Sequence, residues 1–225
     1  MDFLSPQLPR TSLEAMPLFP LPSTVLFPGT RLPLNVFEPR YRDLVEYALS
    51  EGQGALAVPL LQPGYEADYE GRPPVHSIMG AGIVLEHERQ PDGRYHILIH
   101  GTDRLRLIEE LPPERSFRLA RVERLADEPA LAIDEPRLAC LRSLALQLAQ
   151  EVPEARPALS ELLENRQAGT CLAGELAARL IPDPAVRQRL LEERDPLRRI
   201  DGIQAGIAEI FLRLTGSGAP DSDLN

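Results

Sequence analysis

Hydrophobic and polar residues follow two different periods along the chain. In the first part apolar residues alternate with polar ones, as at Leu32, Leu34 and Val36, which predicts half-buried strands. From Glu135 onward apolar residues recur at the 3.6-residue spacing of helices. We therefore expect an α+β protein with these parts: a loose arm at 1–14 within a β-rich subdomain at 1–125, an all-helical subdomain at 126–215, and a disordered tail at 216–225.

One helix interrupts the strands of the first part. Pro39 suits the first helical position and Gly52 lies just past the end, so the pattern predicts a helix over 39–49. Its apolar face consists of residues three, four, seven and eight positions apart: Tyr41, Leu44, Val45, Ala48 and Leu49. Pro33 in the preceding strand cannot donate a hydrogen bond, so we expect that strand at a sheet edge or with a bulge.

Proline, aspartate and glycine mark the turns. Gln90-Pro91-Asp92-Gly93 separates two strand-like segments at 78–89 and 95–100 and predicts a hairpin, and a further strand-like segment follows at 104–108. The stretch 62–74 is charged and rich in proline and glycine, so we expect a long loop that either gates a groove or is simply solvated. Asp183-Pro184 and Asp195-Pro196 each combine an N-cap residue with a first-turn proline, which indicates two helix starts.

The amino-acid composition excludes several kinds of catalytic or phosphate-binding site. The 225 residues carry a net charge of −10, and all 24 basic residues are arginines. A P-loop, a Schiff-base enzyme and a Ser–Lys dyad each need a lysine, and arginine cannot replace it because its guanidinium stays protonated. The sequence therefore excludes these three chemistries from the chain.

Charge and cysteine content indicate which binding partners and which cellular compartment to expect. The acidic balance repels phosphate backbones and anionic lipid surfaces, so we expect neither nucleic acid nor membrane as a partner. No apolar stretch approaches the roughly 20 residues that cross a bilayer, and no secretory signal is visible. Cys140 and Cys171 predict inert buried thiols and not a disulfide framework, which fits a cytoplasmic protein.

Three segments carry a family resemblance. They are MPLFPLPSTVLFPGTRLPLNVFEPRYRDLVEYAL at 16–49, the hairpin PDGR at 91–94 followed by ILIHG at 97–101 and Arg104, and the helical LAGELAARLIPDPAVRQRLLEERDPLRRIDGI. With these segments the chain resembles, over roughly 16–214, the N-terminal or substrate-binding domain of Lon-type proteases. It departs from the family pattern at Leu105, where a phenylalanine is frequent, and around 79–83.

The resemblance implies a fold and a function. The fold is a PUA-like mixed β pseudo-barrel with one helix, followed by the all-helical subdomain. The function is a non-catalytic, cofactor-free protein-binding module that captures unfolded or apolar polypeptide segments, as an adaptor or partner of a Lon-type protease. Because the chain lacks lysine, it has neither a Walker lysine nor a Ser–Lys dyad, so we expect a standalone form without the ATPase and protease modules. Two alternatives remain open: a PUA-like RNA-binding module, and a small-molecule or hydrolytic site between the subdomains.

Two groups of residues are candidates for binding a polypeptide. Phe19, Leu26 and Phe27, with flanking prolines, either form an apolar groove for extended chains or belong to the core. The second group opens the predicted helix: Glu38, Arg40, Tyr41 and Arg42. The arginines suit bidentate contacts to a peptide backbone or a carboxylate. Alternatively, Glu38 forms an internal ion pair with one arginine and Tyr41 lies in the core.

Histidines offer a weaker metal hypothesis. His96 and His100 share a strand face but lie about 13 Å apart at ~3.3 Å per residue, too far for one ion. His87 and His96 can meet across the hairpin in one register, but with no evident third ligand. With His76 also isolated in the sequence, we expect no metal site.

Overall fold

The computed structural model describes residues 7–128, 135–152, 156–164 and 169–216. Within these ranges the strands are β1 (Met16–Leu18), β2 (Arg31–Val36), β3 (Ala55–Val58), β4 (Ile78–Arg89), β5 (Tyr95–Glu110) and β6 (Arg118–Arg124). The helices are α1 (Pro39–Ser50), α2 (Glu135–Glu151), α3 (Arg156–Glu164), α4 (Gly169–Leu180), α5 (Pro184–Glu192) and α6 (Pro196–Gly216). The predicted α+β class is confirmed.

The strands form one mixed sheet that curls back onto itself. Its order is β2-β5-β4-β3-β1-β6, and β6 also pairs with β5, which closes five strands into a pseudo-barrel. The β1–β3 pairing is parallel and the other ladders are antiparallel. β5 makes this closure possible because it runs through 16 residues. The sequence pattern instead predicts two shorter strands in this region.

The predicted hairpin and the edge position of Pro33 are both observed. Gly93 has a positive φ of 82°, and its N–H donates to the carbonyl oxygen of Gln90 at 2.9 Å. Pro33 stands opposite Leu98 in β2, which pairs with β5 alone in the described part of the chain. Because β2 has a neighbouring strand on one side only among the described residues, the missing N–H of Pro33 removes no hydrogen bond to a second strand.

Helix α1 and the segment before β2 pack against the strands of the barrel. The α1 residues Tyr41, Leu44, Val45 and Ala48 are buried, as the helical spacing predicts, and Leu49 is half-buried against the same cluster. Residues 25–27 cross β4 and β5 closely: a Cβ built on Gly80 would overlap the carbonyl oxygen of Leu26. A Cβ on Gly101 would likewise overlap the carbonyl oxygen of Phe27. Only glycine allows this approach at the two positions.

The described part of the predicted arm packs against the barrel. Leu8 is 3% exposed and belongs to a cluster with β1 and β4 residues. Arg124 Nη2 donates to the Leu8 carbonyl oxygen at 2.6 Å. Residues 7–14 are therefore not the loose arm that the sequence predicts, because Leu8 supplies an apolar side chain to the core. Residues 1–6 lie outside the described chain.

The chain forms two units, and the first one includes a helix from the distal part of the sequence. It comprises 7–126 and Asp183–Glu192, so α5 joins the barrel although the sequence assigns it to the helical subdomain. Asp183 caps this helix by accepting the N–H of Ala185 at 2.8 Å. Gln188 Nε2 donates to the Ile78 carbonyl oxygen at 2.8 Å. That residues 1–125 and 126–215 fold as independent domains remains a prediction.

The second unit is helical and covers the described parts of 127–182 and 193–216. Leu141 of α2 and Ile203 of α6 are fully buried, and Arg137 Nε donates to Asp201 Oδ1 at 3.0 Å. Helix α4 begins at Gly169. Asp195 caps α6 by accepting the Leu197 N–H at 2.9 Å. No described helix is both long and apolar enough to cross a bilayer.

Candidate functional site

The N-terminus of α1 is tied to the long loop that follows β3. Arg40 Nε donates to Glu38 Oε2 at 3.0 Å, and Arg40 Nη1 donates to the Tyr69 carbonyl oxygen at 3.0 Å. The Tyr69 hydroxyl donates to the other carboxylate oxygen, Glu38 Oε1, at 2.9 Å. The guanidinium carbon of Arg40 lies 4.7 Å from the Tyr41 ring centroid and 5.0 Å from that of Tyr69. One arginine therefore holds two aromatic rings in place.

These contacts change the acid–base properties of the cluster. Burial raises the pKa of Tyr41 to about 12, against the opposing effect of the positive Arg40. Burial also raises the pKa of Tyr69, and its hydrogen bond to Glu38 adds to that shift. Burial lowers the pKa of Arg40, but its interactions with Tyr41 and Glu38 outweigh this, so the pKa is raised overall. Both phenols are neutral and Arg40 is charged at physiological pH.

A second arginine cluster lies at the start of β6. Arg118 is 8% exposed and contacts both carboxylate oxygens of Glu110, with Nε at 3.0 Å from Oε2. Its Nη1 donates to the Pro73 carbonyl oxygen at 2.8 Å, which fixes the end of the long loop. Arg72 Nη2 lies 3.1 Å from the same carboxylate, so Glu110 serves two guanidinium groups.

The segment before β6 carries a third arginine along α1. Arg115 stacks over the Tyr47 ring at 4.5 Å from its centroid and lies 3.4 Å from Glu51 in a largely exposed ion pair. The neighbouring Ser116 hydroxyl donates to Asp43 Oδ2 at 2.6 Å. The Tyr47 and Phe117 rings pack at 5.3 Å between centroids. These contacts hold the segment against the exposed side of the helix.

Together the three clusters enclose a cavity, which we call the α1 cavity. Its volume is about 220 Å³, and it lies between the start of α1, the loop residues 69–73 and the segment 113–118. Its apolar walls include Leu18, Tyr41, Leu61, Tyr69, Pro113 and Phe117. Its polar wall contains four arginines, namely Arg40, Arg72, Arg115 and Arg118. A shallower depression of about 470 Å³ continues beyond 115–117 along α1. The arrangement suits an apolar group that carries or adjoins an acceptor.

The structure separates the residues predicted at the start of α1. Arg40 and Tyr41 line the α1 cavity, and Glu38 supports Arg40 from behind. Arg42 points elsewhere, because its guanidinium lies against Gly93 at the hairpin turn. The alternative ion pair is present between Glu38 and Arg40, and Tyr41 is 7% exposed. The pair and the cavity lining therefore coexist, and a binding role for these residues stays a prediction.

The apolar groove predicted at Phe19 and Phe27 is not formed. Phe19 is 4% exposed and Phe27 is 2% exposed, so both belong to the core. The Phe19 ring packs on Tyr41 at 4.4 Å between centroids, beneath the α1 cavity. The burial of Phe27 follows from the approach of 25–27 to β4 and β5, which a linear pattern does not reveal.

The histidines are dispersed. In the hairpin His96 stands opposite Glu88 and His87 opposite Ile97, so the register that would join the two histidines is not adopted. His76 Nδ1 lies 3.3 Å from Glu192 of α5. Within the ranges that the structure describes, no three histidine, cysteine or acidic residues come together as metal ligands. Cys140 is exposed and Cys171 partly so, against the expectation that both are buried.

Among the residues that line the cavity, sequence reasoning had singled out only Arg40 and Tyr41 as candidates. Tyr69, Arg72, Arg115, Phe117 and Arg118 line it, yet none was a candidate. The charged, proline-rich loop was the one available signal, since a long ordered loop usually has a role. Nothing in the sequence pairs Arg118 with Glu110, because that contact depends on the β5–β6 register.

Comparisons with known proteins agree on one family. The model of the ATP-dependent protease La (LON) substrate-binding domain matches residues 15–205. The Lon protease of Phenylobacterium zucineum is 31% identical over 212 residues, or 92% of this chain and 26% of the relative. The Lon protease of Paraburkholderia phytofirmans is 30% identical over 199 residues, or 87% of this chain and 24% of the relative.

Solved structures show the same fold. The Lon N-terminal domain protein from Xanthomonas campestris aligns with a TM-score of 0.60 at 24% identity, covering 85% of this chain and 97% of that one. The N-terminal domain of Mycobacterium avium complex Lon protease aligns with a TM-score of 0.68 at 19% identity, covering 87% and 99%.

The chain belongs to the Lon substrate-binding domain family. The family predicted from the sequence is thereby confirmed. The chain spans about a quarter of the length of the Lon proteases that it matches, with 26% and 24% coverage of the two relatives named above.

Proposed function

We propose that this chain is a non-catalytic protein-binding module that takes up exposed polypeptide segments at the α1 cavity. The α1 cavity carries the proposal, because it combines aromatic walls with arginine donors in a concave site of about 220 Å³. Apolar lining with a few convergent polar groups is the usual composition of a binding site. Membership of a substrate-binding family supports the same assignment.

The mechanism is equilibrium burial. Tyr41, Tyr69 and Phe117 offer ring surfaces to an apolar side chain, while the arginines donate to carbonyl or carboxylate oxygens of the bound chain. The Glu38–Arg40–Tyr69 contacts hold this surface ready, so little ordering is needed when a segment binds. As part of the same proposal, the module works in the cytosol with a Lon-type protease, as its adaptor or as its substrate-recognition part. The two free cysteines fit that compartment.

The experiment that tests the proposal compares binding of an unfolded protein by the wild-type chain and by a variant in which a bulky side chain blocks the α1 cavity. Pro113 is exposed at the cavity and Pro112 is exposed beside it but outside the lining, so Pro113→Trp and Pro112→Trp form a matched pair. Wild type should bind fluorescein-labelled denatured casein saturably at tens of micromolar or below. Pro113→Trp should weaken binding at least about tenfold and Pro112→Trp less than about twofold.

Two results would contradict the proposal. If the wild-type chain shows no saturable binding at tens of micromolar, the module does not take up unfolded segments. If both tryptophan variants bind as well as wild type, binding occurs away from the α1 cavity. Circular dichroism of each variant checks that the fold is unchanged.

A further inference from the structure

We infer that the α1 cavity selects polypeptide segments in which an aromatic side chain is flanked by carboxylates, with Arg72 and Arg115 as the specificity-determining residues. This inference rests on the proposed function and names its substrate class. It follows from the size of the cavity, the distribution of charge along its wall, and the difference between its fixed and its releasable arginines.

Size limits the occupant to one large side chain and the adjoining backbone. The volume of about 220 Å³ is below the roughly 300–1,000 Å³ of pockets that enclose drug-sized ligands. Tyr41, Tyr69 and Phe117 contribute rings to the lining, and aromatic side chains pack favourably on such surfaces. An aromatic anchor therefore uses this space better than a small aliphatic one.

Charge on the wall is strongly uneven. Four arginines line the cavity, and in the described part of the chain Glu70 is the single acidic residue that does so. Their partners Glu38, Glu51 and Glu110 lie outside the lining. The lining itself therefore offers a bound group four guanidinium groups and one carboxylate. This local excess stands out in a chain of net charge −10.

The four arginines differ in how firmly they are held. Arg40 and Arg118 each donate to a carboxylate and to a backbone carbonyl, and their side chains are 17% and 10% exposed. Arg115 is 43% exposed and pairs with Glu51, which is 59% exposed, an ion pair of little stability. Arg72 also has both kinds of partner, but it is 34% exposed, its donation to the Leu111 carbonyl oxygen is long at 3.4 Å, and it shares Glu110 with Arg118.

Arg72 and Arg115 can therefore exchange their present partners for a ligand carboxylate at small cost. They come from two different segments of the lining, the loop and the 113–118 segment, so the two carboxylates that flank the anchor can each meet one guanidinium. Basic flanks would instead place like charges beside Arg72 and Arg115. Such discrimination relies on repulsion as much as on attraction.

The experiment uses the full chain and short acetylated, amidated peptides, so that no terminal carboxylate is present. Four peptides share one length: a central Phe with Glu, Ser or Arg flanks, and a central Ala with Glu flanks. Fluorescence anisotropy should rank Glu-flanked Phe first, about three- to tenfold above Ser-flanked Phe. Arg-flanked Phe and Glu-flanked Ala should each bind at least about tenfold more weakly than Glu-flanked Phe.

Variants of the chain test whether Arg72 and Arg115 cause the preference for Glu-flanked peptides. The double variant Arg72→Gln with Arg115→Gln should reduce the Glu-over-Ser ratio to within about twofold while Ser-flanked Phe still binds. Arg106→Gln removes an exposed arginine paired with Glu123 outside the cavity and should leave the ratio unchanged. A ratio is informative because general destabilisation weakens both peptides alike.

The outcomes separate this inference from the proposed function. If Pro113→Trp blocks casein binding but the flanks do not affect peptide affinity, the function stands and the inference is wrong. Equal ratios in wild type and the double variant also overturn it, as does tighter binding of the Arg-flanked peptide. If the wild-type chain binds neither casein nor any peptide, both fall.

Discussion

The hydroxyl of Tyr69 donates a hydrogen bond of 2.9 Å to Glu38, 31 residues earlier in the chain. This contact joins the tip of the long loop to the residue that precedes α1, and so makes the loop a wall of the α1 cavity. Arg40 strengthens the connection by donating to the carbonyl oxygen of Tyr69. The loop is ordered by contacts at one end of the helix.

Tyr69→Phe should loosen this loop without unfolding the barrel. The substitution removes one hydrogen bond to a charged acceptor, worth roughly 1.5–3 kcal/mol, while the Arg40 contact remains. Amide hydrogen exchange of residues 65–72 should accelerate at least about fivefold, with strands β4 and β5 unchanged. Tyr65→Phe, in the same loop, is the control and should exchange as wild type does. Equal rates in all three proteins would contradict the prediction.

Arg118→Met should lower the free energy of unfolding by about 2–3 kcal/mol, because it strips Glu110 of its buried partner. The contact of Arg72 with the same carboxylate limits the loss. Arg106→Met, a cross-strand arginine 45% exposed and paired with Glu123, should cost about 0–1 kcal/mol. Urea unfolding followed by circular dichroism measures both. Similar losses for the two variants would show that burial of Arg118 adds nothing.

Gly80→Ala should destabilise the chain by at least about 3 kcal/mol. Its Cβ would overlap the backbone carbonyl of Leu26, which cannot move as a side-chain tip can. Gly64→Ala tests backbone strain alone, since Gly64 has a φ of 89° but no atom near the added carbon. It should cost about 1 kcal/mol. If urea unfolding gives the two variants equal stability, the approach of 25–27 to the sheet is looser than described.

Stability should decrease at alkaline pH, in part through Tyr41. Folding raises the pKa of this phenol from 10.0 to about 12, so the unfolded chain loses its proton first. The contribution is complete below pH 10, and it is lost as the pH rises through 12, the value in the folded chain. Tyr41→Phe should flatten the slope of the urea midpoint above about pH 9.5. Parallel profiles would contradict the assignment. A remaining slope is expected from Tyr69 and Tyr95, whose pKa values are raised too.

Sequence reasoning succeeded where local chemistry decides the structure. The proline start and apolar spacing of α1, the Gly93 turn, and the caps of Asp183 and Asp195 depend on residues a few positions apart. Two of the candidate binding residues, Arg40 and Tyr41, line the α1 cavity, and their binding role stays a prediction. Each of the local features can be predicted from a short stretch of sequence around it.

It failed where distant segments meet. The pairing of Arg118 with Glu110 depends on the β5–β6 register, and the burial of Phe27 depends on glycines more than 50 residues away. The two strands predicted at 95–100 and 104–108 merge because β4 pairs with both halves of β5. An apolar helix face likewise does not reveal its partner, so α5 was assigned to the helices and not to the barrel.

The position of α5 has a consequence for how the chain is made. The barrel lacks its Gln188–Ile78 and Arg104–Leu191 contacts until α5 has arrived. On the ribosome the N-terminal strands therefore emerge long before the helix that covers β4, while α2, α3 and α4 are synthesised in between. The barrel can reach its final form only after Glu192 has left the exit tunnel, so a nascent chain stalled near residue 126 carries an uncovered strand.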